Sequence, residues 1–298
     1  MRARFDHLAK RLGREALGPS GVTVVHDEIF PETLHADLRH EPDPARKIER
    51  ERLGLLGRFA AVLCLIEIYG HAPSADELRA CLAKHIAFWQ QRARKARADN
   101  KKREKKGQSP KPFTEPFLWV IAAGAPTDIL AKLEVKPASG WPTGVYFFGD
   151  DVLRVGIVVA SELPRDRSTL LVRLMAAGPL LTQAIEELGT LPPRAHERSV
   201  AEHILLSLQG VLRQKPIRSP EEQQFIMAMH LTWEHARADA RAEGRADSLL
   251  TVLRARGIAV PAAVRRRILA QRNQRQLDRW LAKASVASSI EEVIGNRG

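Results

Sequence analysis

The run RFAAVLCLIEIYG at residues 58–70 constrains the fold more than any other part of the sequence. It is apolar almost throughout and carries one carboxylate, Glu67, near its end. A continuous apolar run of this kind is typical of a strand that is covered on both faces. We therefore expect an α/β fold in which helices pack against a β-sheet.

The segments around this run predict an order of helices and strands. Residues 5–17 place apolar side chains at helical spacing, and Ser74 with Glu77 has the spacing of a capping box that opens a long helix. A short helix is expected at residues 127–134. Further β-rich segments predict strands at residues 22–30, 33–40, 116–124, 144–149 and 152–163. The predicted order is therefore α, βββ, α, β, α, ββ.

Every segment after Arg167 is predicted to be helical. Ser219 and Glu222 open a long helix whose later part, ARADARAEGRAD, has few large apolar side chains and is expected to be a solvated connector. Three short amphipathic helices follow it. We predict three regions: an α/β core at residues 1–165, a helical extension and connector at 166–245, and a small helical appendage at 246–298.

The charge balance narrows the class of partner. Lysine and arginine total 47 against 35 aspartates and glutamates, a formal net charge of +12. This surplus suits a polyanion such as DNA, although it also favours solubility alone. The longest apolar run, residues 59–66, is far shorter than the roughly 20 residues that span a bilayer. Cys64 and Cys81 lie in apolar settings and are interpreted as reduced core residues, so we expect a cytoplasmic protein without a membrane segment.

Asp37 and Glu67 are two acidic residues that this pattern places inside strands. A carboxylate among apolar neighbours costs free energy unless it is paired, hydrogen-bonded or bound to a metal. Asp37 lies 30 residues upstream of Glu67 in the preceding strand, and pairing of the two strands would bring both side chains to one face of the sheet. Together they could hold Mg²⁺ or Mn²⁺, which would activate water and neutralise charge on a scissile phosphate.

Five segments carry a resemblance to a known family: TVVHDEI, LHADLRH, AAVLCLIEIY and, in the helical tail, LLTVLRARGIAVP and LDRWLAKASVASSIEEVI. Their order, with a helix before them and a long helix after the third, resembles the Rpn-type, transposase-like branch of the PD-(D/E)XK nuclease superfamily. The resemblance implies a restriction-endonuclease-like core, a mixed sheet flanked by helices, and metal-dependent cleavage of DNA. It matches Asp37 with the motif aspartate and Glu67 with the acidic residue of the next strand.

Tyr69 stands where the family motif has lysine, or glutamine in this branch. Residues 67 and 69 point to the same face of a strand, so we expect Tyr69 to reach the site of Glu67. A phenol with a reference pKa near 10 stays neutral and cannot stabilise phosphate charge as an ammonium does. The sequence therefore predicts weakened cleavage unless another cation takes part, and Lys84 in the following helix is the candidate.

The end of the long helix is strongly basic. Residues 92–106 contain nine basic and two acidic residues, and such a stretch either contacts phosphates or simply ends a helix in solvent. The candidate DNA-binding residues are Lys101, Lys102, Arg103, Lys105 and Lys106.

Structural roles stay open for the same residues. Asp37 and Glu67 could form ion pairs with an arginine such as Arg39 or Arg58 and have no catalytic role. Three histidines flank these segments without the common spacing of a structural zinc site: His35, His40 and His71. Two functions therefore remain. One is a DNA endonuclease that uses Mg²⁺ or Mn²⁺, and the other is a catalytically inactive protein that binds nucleic acid or forms a homodimer.

Overall fold

The chain opens with a helix and two antiparallel strands, as the sequence predicts. The computed structural model describes residues 2–29, 34–137 and 139–295. Helix α1 (Arg2–Leu17) leads into strands β1 (Gly21–Ile29) and β2 (Leu34–Pro42), which pair with each other. The apolar spacing of α1 buries one of its faces, through Leu8, Leu12 and Leu17.

The apolar run at residues 58–70 divides into the end of a helix and a strand. Two short helices follow β2, namely α2 (Lys47–Glu51) and α3 (Leu55–Phe59), and strand β3 (Cys64–Tyr69) begins five residues after α3 ends. Phe59 is fully buried, and apolarity alone does not distinguish a buried helix from a buried strand. The prediction of one continuous strand was therefore wrong before Cys64.

A capping box opens the long helix α4 (Ala75–Glu104). The hydroxyl of Ser74 accepts a hydrogen bond from the N–H of Glu77 at 3.2 Å, and the Glu77 carboxylate accepts one from the N–H of Ser74 at 2.7 Å. Both bonds satisfy N–H groups that a helix start leaves without partners, and the predicted start is confirmed. Three buried side chains pack α4 against the sheet: Leu78, Cys81 and Phe88.

The described strands form one mixed sheet. The later strands are β4 (Phe117–Ala122), β5 (Lys136–Pro137), β6 (Val145–Phe148) and β7 (Val155–Val159), with helices α5 (Thr127–Lys132) and α6 (Asp150–Leu153) between them. The spatial order is β1-β2-β3-β4-β7-β6-β5, in which β3, β4 and β7 are parallel and the other pairs are antiparallel. The expected α/β fold with a mixed sheet flanked by helices is confirmed. The last predicted strand is shorter than expected, because α6 occupies its first residues and a short 3-10 helix (Ala160–Glu162) occupies its last ones.

The chain is helical after β7, apart from its turns, also as predicted. Helices α7 (Leu170–Arg173), α8 (Pro179–Thr190) and α9 (His196–Arg213) come next, and the long helix α10 (Pro220–Ala255) follows them. The Arg173 side chain is fully buried, and its guanidinium holds the Glu187 carboxylate of α8 through two hydrogen bonds of 2.6–2.7 Å. This charge pair ties α7 to α8.

The described chain divides into two compact units, residues 1–229 and 230–298. The second unit contains the later part of α10 and the short helices α11 (Ala262–Ala270), α12 (Gln274–Ala284) and α13 (Ile290–Ile294). Its core includes Leu249, Leu253, Ile268, Leu277, Trp280 and Val293. The predicted boundaries after residues 165 and 245 stay a prediction. No helix in the described ranges has the length and apolar character needed to cross a bilayer.

Candidate functional site

The sheet brings Asp37 and Glu67 together at neighbouring positions. The pairing of β2 with β3 runs as far as Leu38 opposite Ile66, and one residue further the same register sets Asp37 opposite Glu67. Opposed residues in an antiparallel pair have Cα atoms about 4.5–5.5 Å apart. Asp37 Oδ2 also accepts a hydrogen bond of 2.8 Å from the N–H of Ile68. The Asp37 side chain is therefore fixed at the end of β3.

Glu67 is a buried carboxylate with one oxygen unsatisfied. The residue is only 2% exposed. Its Oε2 accepts a hydrogen bond from Lys84, whereas Oε1 has no hydrogen-bond partner among the described residues. Burial, and after it the negative charge of Asp37, raises the pKa of this carboxyl from its ordinary 4.5 to about 7. Lys84 and the Asp37 main chain oppose the increase only in part.

Lys84 places an ammonium beside Glu67. Its Nζ lies 2.8 Å from Oε2 of Glu67, because the cap at Ser74 starts α4 in the phase that turns residue 84 toward β3. Burial alone would lower the pKa of this amine, but the charge of Glu67 outweighs burial and raises it. The side chain keeps 18% of its surface exposed. An ammonium therefore lies beside the buried carboxylate, as the sequence suggested without being able to position it.

Lys10 is a second ammonium in the site, and the sequence interpretation missed it. Its Nζ lies 2.8 Å from Asp37 Oδ1, and its side chain is 7% exposed. The signal was weak, because Lys10 is followed at once by Arg11 in an amphipathic helix and only the packing of α1 distinguishes the two. The ion pairs of the site are thus made with lysines. Arg39 contacts Glu41, and Arg58 lies over the ring of Trp141.

Tyr69 fixes the start of α4 to the end of β3. Its hydroxyl donates a hydrogen bond to the carbonyl oxygen of Glu77 at 3.3 Å and lies 3.1 Å from Sγ of Cys81. Burial, together with the contact with Cys81, raises the pKa of the phenol, so it stays neutral. Glu77 is also bonded to His71, at 3.0 Å. The geometry gives Tyr69 a positioning role on α4, and its described hydrogen bonds do not go to Asp37 or Glu67.

In the part of the chain that the structure describes, His40 and His71 have other partners and do not join the carboxylates in a metal centre. His40 is fully buried in β2, with Nδ1 2.9 Å from the Thr23 hydroxyl and Nε2 3.5 Å from that of Ser20. Burial, and then the charge of Arg50, lowers the pKa of His40 from 6.5 to about 4. Across the described residues, no three histidine, cysteine or acidic side chains gather as a metal site.

Asp37 and Glu67 fit a cation that needs few protein ligands. Three of their four carboxylate oxygens already accept hydrogen bonds or ion pairs, while Oε1 of Glu67 offers an unused lone pair. Mg²⁺ binds through one or two carboxylates and retains several waters, and Mn²⁺ takes similar oxygen ligands. The donor set therefore suits these ions and not zinc, which favours histidine and cysteine.

The basic end of α4 lies on the same helix as Lys84. Lys101 and Lys102 are exposed on its last turn, and Lys105 and Lys106 are exposed just beyond it. Arg103 has a structural contact, because its Nε donates to the carbonyl oxygen of Ser109 at 2.9 Å. A helix rises 1.5 Å per residue, so Lys84 and Lys101 are about 26 Å apart along α4.

Comparison with protein-family models, with curated proteins and with solved structures found no match to this chain. A functional proposal therefore rests on the arrangement of Asp37, Glu67, Lys84 and Lys10.

Proposed function

We propose that the chain is a metal-dependent DNA endonuclease with a restriction-endonuclease-like core of the Rpn type. Asp37 and Glu67 are its metal-binding carboxylates, and Lys84 is the cation of the active site. The observation that carries the proposal is the Lys84 ammonium, 2.8 Å from a buried glutamate that adjoins a second strand carboxylate. Two acids can hold a divalent ion, and an ammonium beside them can stabilise charge on a phosphate, so the group suits phosphodiester cleavage.

The unsatisfied oxygen of Glu67 favours a functional role over a structural one. Buried polar groups in native proteins nearly always have hydrogen-bond partners, and an unpaired one costs about 1–3 kcal/mol. The Glu67 carboxyl group also lies in a buried position that opposes its ionisation and raises its pKa. A structural ion pair would gain nothing from a free Oε1, whereas a ligand-binding carboxylate requires it.

Each residue of the site has a distinct task. Bound Mg²⁺ or Mn²⁺ would polarise water and the scissile phosphate. Lys10 and the N–H of Ile68 hold the Asp37 carboxylate in one orientation. Lys84 orients Glu67 through Oε2 and leaves Oε1 open. Its partly exposed ammonium offers the additional positive charge that stabilises a phosphate as negative charge develops.

A second candidate function is DNA binding without cleavage. The observation that favours it is the charge balance inside the site, since Lys10 pairs with Asp37 and Lys84 pairs with Glu67. Two carboxylates with two ammonium partners are stable without a metal. The basic end of α4 would then act as a binding surface only.

Nicking of supercoiled plasmid with Mg²⁺ or Mn²⁺ tests the proposal. We expect metal-dependent nicking by the wild type and its loss in Asp37→Asn. Lys84→Met should lower the rate by about 10² to 10³, the usual cost of a missing charge-stabilising donor, while Mn²⁺ binding measured by calorimetry persists. Lys132→Met, at an exposed lysine of α5, is the matched control and should nick normally.

The outcomes separate the two candidates. Mn²⁺ binding that is equal in the wild type and Asp37→Asn would exclude Asp37 as a ligand. Plasmid binding by the wild type with no nicking under either metal would favour the second candidate.

A further inference from the structure

The C-terminal unit carries a second concentration of positive charge. Residues 254–283 contain nine basic residues and one acidic residue, Asp278. All nine are exposed: Arg254, Arg256, Arg265, Arg266, Arg267, Arg272, Arg275, Arg279 and Lys283. Asp278 is itself bonded to Arg245, so it does not neutralise this surface.

Three of these arginines have contacts inside the unit. Arg256 donates to the carbonyl oxygens of Ala284 and Ala287 at 2.8 and 2.7 Å, and so joins α10 to the end of α12. Arg267 lies 5.7 Å from the ring centre of Trp280, and Arg272 lies 3.7 Å from Glu243. The other six form no ion pair or side-chain hydrogen bond with any residue in the described ranges: Arg254, Arg265, Arg266, Arg275, Arg279 and Lys283.

Helix α12 arranges three of the six in a line. Leu277, Trp280 and Ala284 face the core of the unit, while Arg275, Arg279 and Lys283 recur every four residues on the exposed side. Residues four apart on a helix are neighbours, with Cβ atoms about 6 Å apart. The row extends over about 12 Å, a length in which one strand of B-DNA presents three to four phosphates.

The surroundings of the row favour DNA over a lipid surface. A helix that binds a membrane interface needs a large apolar face beside its cations, and the apolar face of α12 is buried within the unit. Base stacking is also unsupported, because the aromatic residues of the unit, Trp233 and Trp280, are both buried. Single apolar side chains such as Leu269 and Val286 are exposed nearby, but the row itself consists of cations, and cationic side chains are the usual partners of phosphate oxygens.

We propose that the row Arg275, Arg279 and Lys283 on α12, with Arg265 and Arg266 of α11 as further cations, binds the phosphate backbone of duplex DNA without sequence preference. The surface belongs to the C-terminal unit, separate from the residues proposed for cleavage. Its binding does not require a metal. It gives the chain a DNA contact besides the basic end of α4.

The salt dependence of DNA binding by the full chain is the test. Fluorescence anisotropy with two 30-base-pair duplexes of unrelated sequence, in EDTA, measures affinity at several salt concentrations without cleavage. Each phosphate neutralised contributes about 0.9 to the slope of log affinity against log salt. The triple variant Arg275→Ala, Arg279→Ala, Lys283→Ala should therefore reduce the slope by about 2 to 3, equally for both duplexes.

Two control variants separate local contact from net charge. Removing three exposed cations of the N-terminal unit, through Lys132→Ala, Lys136→Ala and Arg213→Ala, lowers net charge equally and should leave the slope nearly unchanged. The variant Arg275→Lys, Arg279→Lys retains the charges and should retain the slope. Thermal unfolding followed by far-UV circular dichroism checks that each variant is folded.

Several results would overturn this inference. One is an unchanged slope in the α12 triple variant, and another is an equal decrease of the slope in the three-cation control. A third is an α12 triple variant that loses binding to phosphatidylserine vesicles while its DNA binding stays intact. Plasmid nicking is a separate measurement. Normal nicking with an unchanged slope would contradict this surface alone, and absent nicking with the expected change in slope would contradict only the proposed endonuclease.

Discussion

Relative to the wild type, the variant Glu67→Gln should gain stability as the pH increases. The substitution keeps the shape of the side chain and an oxygen for Lys84, but it removes the group that burial makes costly to ionise. The pKa of Glu67 is about 7 in the folded chain against an ordinary 4.5. Between these values the folded state binds more protons than the unfolded state, so the free energy of unfolding falls as the pH rises.

The size of this effect follows from the same two values. The interval from 4.5 to about 7, at 1.36 kcal/mol for each pH unit, corresponds to about 3 kcal/mol. Glutamine does not titrate, so the stability of Glu67→Gln relative to the wild type should rise by about this amount between pH 4 and pH 8. The amide also weakens the contact with Lys84, but that cost is nearly independent of pH in this range. The pH dependence therefore isolates the ionisation of Glu67.

Urea unfolding at pH 5, 6, 7 and 8, followed by tryptophan fluorescence in EDTA, measures the difference. Glu186→Gln, at an exposed position of α8, is the matched control and should differ from the wild type by a constant amount. A difference for Glu67→Gln that stays flat from pH 5 to pH 8 would refute the reasoning. It would mean that Glu67 ionises as an ordinary surface glutamate does.

Three further predictions concern the surroundings of the site. Lys10→Met should lower the free energy of unfolding by about 1–3 kcal/mol at pH 7, because it leaves the mostly buried Asp37 carboxylate without this partner; urea unfolding measures this, and no loss would mean that water replaces the ammonium. His40 has its pKa lowered from 6.5 to about 4, so the wild type should lose up to about 3 kcal/mol as the pH falls through that interval. His40→Gln should flatten that decrease in urea unfolding, and an unchanged decrease would assign it to other groups. Alanine in place of the basic residues at 101–106 should reduce the slope of log affinity for DNA against log salt. An unaltered slope would mean that this helix end lies in solvent and does not contact DNA.

The sequence predicted that Asp37 and Glu67 lie on paired strands, but it did not establish which ammonium groups contact them. Asp37 and Glu67 could be placed on neighbouring strands because consecutive strands usually pair and because alternation fixes the face. Lys84 could be named because Ser74 and Glu77 mark the start of its helix. Its contact with Glu67 depends on how α4 packs on the sheet, which no local pattern contains.

Lys10 is a clearer example of a contact that no local sequence pattern reveals. It contacts Asp37 across 27 residues of sequence, and only the packing of α1 against β2 distinguishes it from its basic neighbour. The interpretation of residues 58–70 failed for a related reason, since apolar side chains satisfy a buried helix and a buried strand equally well. The two-residue strand β5 carries too few residues for any periodicity to be recognised.

The start of α4 also determines where this chain can change its length. Glu77 is joined to Ser74, to His71 and, through its carbonyl oxygen, to Tyr69. An extra residue inserted between Glu77 and Lys84 would rotate the amine by about 100° and move it by about 1.5 Å, away from β3. The last buried side chain of α4 is Ala93. Beyond it the described side-chain contacts of α4 are with the segment that follows the helix, from Asn100 to Lys111 and from Arg103 to Ser109, so they can move with the helix end when whole turns are added or removed. In insertion and deletion libraries, the first half of α4 should therefore be intolerant of length changes, while the basic half should accept them.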